Sequence, residues 1–200
     1  MGKKQRIGLV LIALAIVASL TYIFAIRRPA PTPRPRAYFR IDLPKKEYFP
    51  FMAECPVNFE APMYSKIENK APDPRETGCW FNVMVPRLKA TLYCAYIPVH
   101  NDLDQLVQRA YDYTIMHDVK ATAIRRTDVE IDSTHVYGII YDLEGDAASQ
   151  LQFFVTDSTK HFLRGVLYFR DRPNADSLAP VLSFMREDVI HMIETLRWRD

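Results

Sequence analysis

The densest grouping of side chains that could do chemistry is Asp157-Ser158-Thr159-Lys160-His161, with Arg164 three residues further on. A serine, a histidine and an aspartate are the parts of an activated nucleophile: the imidazole takes the hydroxyl proton while the carboxylate orients the imidazole. Such a set works only when nucleophile and base meet. Here all three fall within one tight turn, where Ser and Asp ordinarily hydrogen-bond their own backbone. A hydrolase centred on Ser158, His161 and Asp157 therefore requires the Ser158 hydroxyl within hydrogen-bond reach of His161. Asp142, Glu144 and Asp146 form a second cluster, whose alternating carboxylates offer oxygen ligands of the kind Ca²⁺ takes. The order Asp-x-Glu-Gly-Asp does not match an EF-hand loop, and a solvated hairpin turn is the simpler reading. His117 and His191 stand apart, with no His-x-x-x-His or His-Glu-x-x-His pair, so no metal site is expected. With only 6 glycines the chain has no glycine-rich phosphate cradle, and no cofactor is expected.

The three cysteines are Cys55, Cys79 and Cys94, without a CxxC pair or a zinc-type Cys/His spacing. Cys55 and Cys79 flank 23 residues rich in turn formers, a loop whose closure would stabilise the fold by roughly 3 kcal/mol in the chain-entropy picture. Three reduced core cysteines fit the spacing equally well. Cys94 lies in the apolar run Leu92-Tyr93-Cys94-Ala95-Tyr96 and reads as a buried free thiol. Trp80 and Trp198 read as core or interface aromatics.

Charge separates the chain into two parts. Residues 1–40 carry eight basic residues and no acid, which leaves 18 of the 26 bases against all 24 acids in the remainder. A nucleic-acid binder carries its positive charge on the fold; here the fold is net acidic, and no nucleic-acid partner is expected.

The elements that must position these groups read as follows. Phe81–Val85 and Ala90–Pro98 form a hairpin, and Tyr38–Leu43 alternates like a short strand. Asn101-Asp102 offers an N-cap for a helix carrying Leu103, Leu106, Val107, Ala110 and Thr114, ending near His117. Strand signals return at Thr122–Ile131, His135–Leu143, Ser149–Thr156 and His161–Arg170, joined by polar turns as in an antiparallel meander. Ser177 can cap a last helix with the stripe Leu178, Leu182, Met185, Val189, Met192 and Leu196, with Arg197 and Arg199 in or just past its last turn. The order predicts an α+β fold, an antiparallel β-sheet packed with helices. Its outline is similar to the PsbP/Mog1-like sandwich, an analogy of fold that carries no function.

Ahead of this domain, Ile7–Ile26 has no charge and no proline. Twenty residues at 1.5 Å rise cover about 30 Å, the thickness of a bilayer core. Tyr22 and Phe24 lie near one end, and basic residues close both. The expected organisation is a basic flank at 1–6, a transmembrane anchor at 7–26, a Pro/Arg-rich linker at 27–37 and the α+β domain at 38–200. A cleaved signal peptide is the rival, but its apolar region usually runs about 7–15 residues, and the Ala-x-Ala here (Ala13, Ala15) falls mid-run. Lys3, Lys4 and Arg6 oppose Arg27, Arg28, Arg34 and Arg36, so flanking charge leaves orientation open. The alternating prolines of Arg27–Arg36 make a stiff spacer about 30 Å long at 3.1 Å per residue.

Several segments of the domain resemble the GldD family of gliding-motility lipoproteins of the Bacteroidota. They are Tyr38-Phe39-Arg40-Ile41-Asp42-Leu43-Pro44, Cys55-Pro56, Cys79-Trp80, Val136-Tyr137-Gly138 through Tyr141-Asp142, and the long run Gln152 to Gly165. The run continues through Leu167-Tyr168-Phe169, Arg172-Pro173-Asn174 and Asp176 to Pro180, with Arg186-Glu187-Asp188 beyond. The resemblance covers roughly residues 37–199. It implies work with the motility apparatus and the associated type IX secretion system, with no enzymatic activity and no cofactor. It also implies an extracytoplasmic location, and hence a Cys55–Cys79 disulfide. A functional surface is implied on the hairpin around Thr156–Gly165, formed by Asp157, Ser158, Thr159, Lys160, His161 and Arg164.

The family typically carries a lipobox cysteine after its leader, and this sequence has none. That departure favours an inner-membrane anchor with the domain in the periplasm over a lipid anchor on the periplasmic face of the outer membrane. Three readings of function follow. The first is a membrane-anchored scaffold or assembly factor contacting other gliding and type IX secretion proteins. The second is a periplasmic peptide- or glycan-binding module using exposed aromatics. The third is an envelope hydrolase.

Overall fold

The computed structural model describes residues 2–26, 41–70, 78–116, 121–170 and 175–199. The chain divides into two compact units, Met1–Phe39 and Arg40–Asp200. In the first, Lys3–Ile26 form helix α1. Ile7, Val10, Leu11, Ile12, Leu14, Ile16, Val17, Leu20, Ile23 and Phe24 are all exposed. At 100° per residue these positions surround the axis, so the helix has no polar face to turn to water. The Thr21 hydroxyl donates to the Ala18 carbonyl at 2.9 Å. The spanning anchor expected over Ile7–Ile26 finds no support at this level: among the described residues, no helix is long and apolar enough to cross a membrane.

The second unit is α+β with two antiparallel sheets. Strands β1 (Tyr48–Met52), β2 (Val57–Pro62) and β10 (Arg197–Trp198) form a small sheet in the order β1-β2-β10. The large sheet contains β3 (Lys66–Lys70), β4 (Cys79–Val85), β5 (Ala90–Pro98), β6 (Ala121–Ile131), β7 (Val136–Gly145), β8 (Ser149–Thr156) and β9 (His161–Phe169). Its order is β3-β4-β5-β9-β8-β7-β6. Two meanders thus meet at the β5–β9 pair, and helix α2 (Leu103–Met116) carries the chain from the centre of the sheet to its far edge. Helix α3 (Ala175–Glu194) follows β9 and leads into β10.

Strand alternation distributes the side chains onto two faces. On the inner face Phe81, Val83, Leu92, Cys94, Ile140, Leu151, Phe153, Val155, Leu163 and Leu167 pack under the small sheet and under Val181, Phe184, Met185, Val189, Met192 and Ile193 of α3. On the outer face Leu106 and Ala110 of α2 pack on Ile139, Tyr141, Leu143, Phe154 and Phe162. Gly165 is required where the Phe153 ring crosses β9: a Cβ there would lie 2.1 Å from that ring.

Several expectations change. Ile41–Leu43 are not in a strand, and Tyr38–Arg40 lie outside the described residues. The first strands are instead β1, β2 and β3, whose mixed composition (YFPFM, VNFEAP, KIENK) hides the alternation. The single expected sheet is therefore two. Helix α3 starts at Ala175, which puts Ser177 inside its first turn rather than at its cap. Arg197 lies in β10, although its guanidinium still reaches the Glu194 carbonyl at 3.3 Å. Arg199 turns away from the helix and donates to the carbonyls of Ala53 (2.6 Å) and Cys55 (2.7 Å). The expected helix end near His117 lies outside the described residues.

Candidate interaction surface

The β8–β9 turn is braced from within. Asp157 Oδ1 accepts from the backbone N–H groups of Thr159 (3.0 Å), Lys160 (2.8 Å) and His161 (2.8 Å), and Oδ2 accepts from the Thr159 hydroxyl at 2.8 Å. Burial alone would raise the Asp157 carboxyl, but the donors from His161, Thr159 and Lys160 outweigh it and hold the group down at about 2. Thr156 Oγ1 donates to the His161 carbonyl (2.6 Å) and accepts from the Ser158 N–H (3.0 Å). The Val99 N–H donates to the Lys160 carbonyl at 2.8 Å, which ties the turn to the end of β5. Ser158 sits at φ 69°, in the left-handed region, a conformation non-glycine residues hold only when their surroundings fix it. Ser158, Thr159 and Lys160 form the exposed tip.

The six residues expected to share one surface are not brought together. His161 is 6% exposed and points to the inner face. Its Nδ1 lies 2.8 Å from the Tyr96 hydroxyl, and the Trp198 ring stacks on it at 5.2 Å and 6°. Trp198 in turn donates from Nε1 to the His135 carbonyl at 3.0 Å. Among the described hydrogen bonds none joins Ser158 Oγ to His161, so the arrangement that a hydrolase needs is not made. Arg164 points to the outer face. Its guanidinium stacks on Tyr113 at 4.6 Å and donates to Gln152 Oε1 at 3.3 Å. Burial lowers its pKa, and the neighbouring Tyr168 and Tyr113 offset part of that. Gln152 Oε1 also accepts from Thr114 Oγ1 at 3.4 Å.

Two of the three carboxylates of the Asp142–Asp146 turn are directed to cations of the protein. Asp142 takes a bidentate pair from Arg186 of α3 (2.8 and 3.1 Å), and Glu144 pairs with Arg125. Among the described residues no group of three His, Cys, Asp or Glu side chains could hold a metal ion. Cys55 and Cys79 are joined by a disulfide with Cα atoms 5.8 Å apart, and Cys94 is free and buried. Burial pushes the Cys94 thiol pKa up, so it is a poor nucleophile at neutral pH.

Two further features have no signature in the linear sequence. Asp188, 4% exposed on α3, accepts on Oδ1 from Lys46 Nζ (3.1 Å) and the Tyr48 hydroxyl (2.9 Å), and on Oδ2 from the Tyr64 hydroxyl (2.5 Å). Burial and the Asp188 carboxylate both raise the two tyrosines. The partners lie more than 120 residues away in sequence, so only the folded chain joins them. The second is a pocket of about 420 Å³ along the β4–β5–β9 part of the large sheet, lined by Met84, Thr91, Tyr93, Tyr168, Lys89 and Arg170 among others. Tyr93 and Tyr168 meet edge-on at 5.7 Å. Tyr93 is 48% exposed while Leu92 and Cys94, pointing inward, are 3% and 2% exposed. Strand alternation foretells that contrast; the Tyr93–Tyr168 contact depends on strand pairing.

The second unit is an antiparallel α+β domain whose strongest polar clusters brace its own turns and helix contacts. Residues 28–198 match the family described as gliding motility lipoprotein GldD, and the chain belongs to that family. Membership implies involvement in gliding motility and a membrane-associated place in the cell envelope. No curated protein matches the chain.

Proposed function

We propose that the chain is a membrane-anchored, non-enzymatic component of gliding motility and the associated type IX protein secretion machinery, acting by protein–protein contact as a scaffold or assembly factor. The observation that carries this reading is the β8–β9 turn. Both Asp157 oxygens brace the turn, the His161 imidazole is held on the opposite side by Tyr96 and Trp198, and the exposed tip is presented in a fixed shape with no base beside Ser158. A pre-shaped tip suits recognition, because little conformational entropy is lost when it docks. Ser158, Thr159 and Lys160 are the contact residues of this reading, with Asp157 as their support.

The anchor belongs to the same proposal. From Ile7 to Phe24 helix α1 is apolar on every side, and the Thr21 hydroxyl bonds its own backbone, as a hydroxyl in a hydrocarbon setting must. No cysteine stands between α1 and Cys55; in this proposal attachment rests on the apolar α1 at the membrane in place of the lipid that the family's description names, and it does not require α1 to span. The Cys55–Cys79 disulfide suits an oxidising compartment. The proposed arrangement is an inner-membrane anchor with the domain in the periplasm, and separation of the two membranes tests it: recovery with the outer membrane contradicts it.

The open aromatic pocket favours a second reading, a periplasmic module that binds a peptide or a glycan against Tyr93 and Tyr168. Tyr93→Ala and Tyr168→Ala together should abolish function under that reading. Under the scaffold reading they leave it intact, while Lys160→Glu at the turn impairs it.

A further inference from the structure

Strand β6 closes one end of the large sheet. It runs 11 residues, Ala121–Ile131, and among the described residues pairs on one side only, with β7. Its outer edge is a row of backbone donors and acceptors about 37 Å long at 3.4 Å per residue. Proteins usually blunt such an edge with proline, with bulges, with a short strand, with charged side chains or with a covering helix or loop. The opposite edge, β3, is treated that way: it is five residues long with a lysine at each end. Strand β6 has no proline, its one register shift lies at its very start, between Ala121 and Ala123, and charge is the only one of these devices it carries along its length. Its charges also change sign along the strand. Arg125 and Arg126 precede Thr127; Asp128 and Glu130 follow it.

That order is self-complementary. In an antiparallel pair of two β6 strands centred on Thr127, Arg126 of each copy faces Asp128 of the other, directly across the ladder and on the same face of the joined sheet. Opposite charges in directly opposed positions stabilise a strand pair, and like charges destabilise it. A register shifted by one residue turns every side chain to the wrong face. A shift of two sets Asp128 against Asp128 or Arg126 against Arg126 at the centre. In the single chain Arg126 and Asp128 pair with each other at 2.9 Å, with side chains 61% and 74% exposed, a contact that contributes little and is readily exchanged for the intermolecular one. Arg125 is held by Glu144 and does not compete.

We propose that β6 is a homotypic docking edge: a second copy of this chain adds its β6 antiparallel about a twofold axis at Thr127, joining two seven-stranded sheets into one. The inference is independent of the scaffold reading, since it concerns this chain's pairing with itself rather than with another motility protein.

The test uses the full-length chain in its membrane with Thr127→Cys. Across the twofold the two introduced sulfurs come within disulfide reach, because opposed residues in an antiparallel pair have Cα atoms about 4.5–5.5 Å apart, inside the range disulfides span. Mild oxidation should convert the variant to a dimer on a non-reducing gel, at least five-fold more than Ala148→Cys, an exposed position between β7 and β8 that reports random collision. Adding Arg126→Asp should remove the dimer, and Arg126→Asp with Asp128→Arg should restore it; that recovery separates a pairing defect from a folding defect. A Thr127→Cys dimer no stronger than the Ala148→Cys control overturns the proposal, as it would if a different protein supplied the added strand. Stronger crosslinking at Asp128→Cys overturns the register.

Discussion

Asp157 makes the hairpin turn by accepting three backbone N–H groups that would otherwise be left without partners at a tight bend. A hydrogen-bonded carboxylate is favoured in its charged form, so folding holds its pKa down, from 3.8 to about 2. A group lowered on folding contributes stability that is complete above its unfolded pKa and is lost as pH falls through the folded one. Unfolding free energies of wild type and Asp157→Asn, from urea titration, should therefore differ by about 1 kcal/mol at pH 6, after allowance for solvent screening, and converge as pH approaches 2. A difference unchanged between pH 6 and pH 2.5 would show that the charge has no part in it. Ser158→Ala should restore motility fully in a deletion strain, because the hydroxyl has no base to serve; loss of complementation with a stable protein would revive the hydrolase. The types and order of these residues announced a turn, and they also mimicked a catalytic set. What the sequence could not show is that β9 sends His161 to one face and Arg164 to the other, since that follows from where the pleat begins.

At the level of elements, α3 is fixed to the small sheet through Asp188. Removing that carboxylate leaves Lys46, Tyr48 and Tyr64 facing a gap, and breaking a buried, hydrogen-bonded charge in this way costs about 3 kcal/mol. Asp188→Ala should lower the unfolding free energy by about that amount, measured by denaturant titration at pH 7, while Asp142→Ala, whose Arg186 partner is more exposed, costs less. Most elements were legible because their signals are local. The hairpin β4–β5, the stripe of α2 and the meander β6 to β9 each declare themselves by periodicity. Strands β1, β2 and β3 did not, because Pro50, Asn58 and the polar KIENK segment break the pattern. The partners of Asp188 were invisible for the same reason that the small sheet was missed. The stripe of α3 is wider than its spacing suggests: Val181, Phe184 and Ile193 join the buried set, while Leu182 is only half-buried, because two sheets bear on that helix where one was expected.

For the whole molecule, the cysteines report the compartment. Alkylation of denatured, unreduced protein should modify Cys94 alone, and alkylation of the native protein should modify none, since Cys94 is 2% exposed. Three labelled cysteines in the denatured, unreduced sample would mean that the chain matures in a reducing compartment and that the envelope placement is wrong. The central claim is that this GldD-family protein works in gliding and in type IX secretion by contact rather than by catalysis. The most direct measurement is a clean deletion, scored for colony spreading and for protein export, and complemented in turn with wild type, Ser158→Ala and Lys160→Glu. The account predicts loss of both activities on deletion, recovery of both with wild type and Ser158→Ala, and impaired recovery with Lys160→Glu at normal protein level. Undiminished spreading and export in the deletion strain would contradict it.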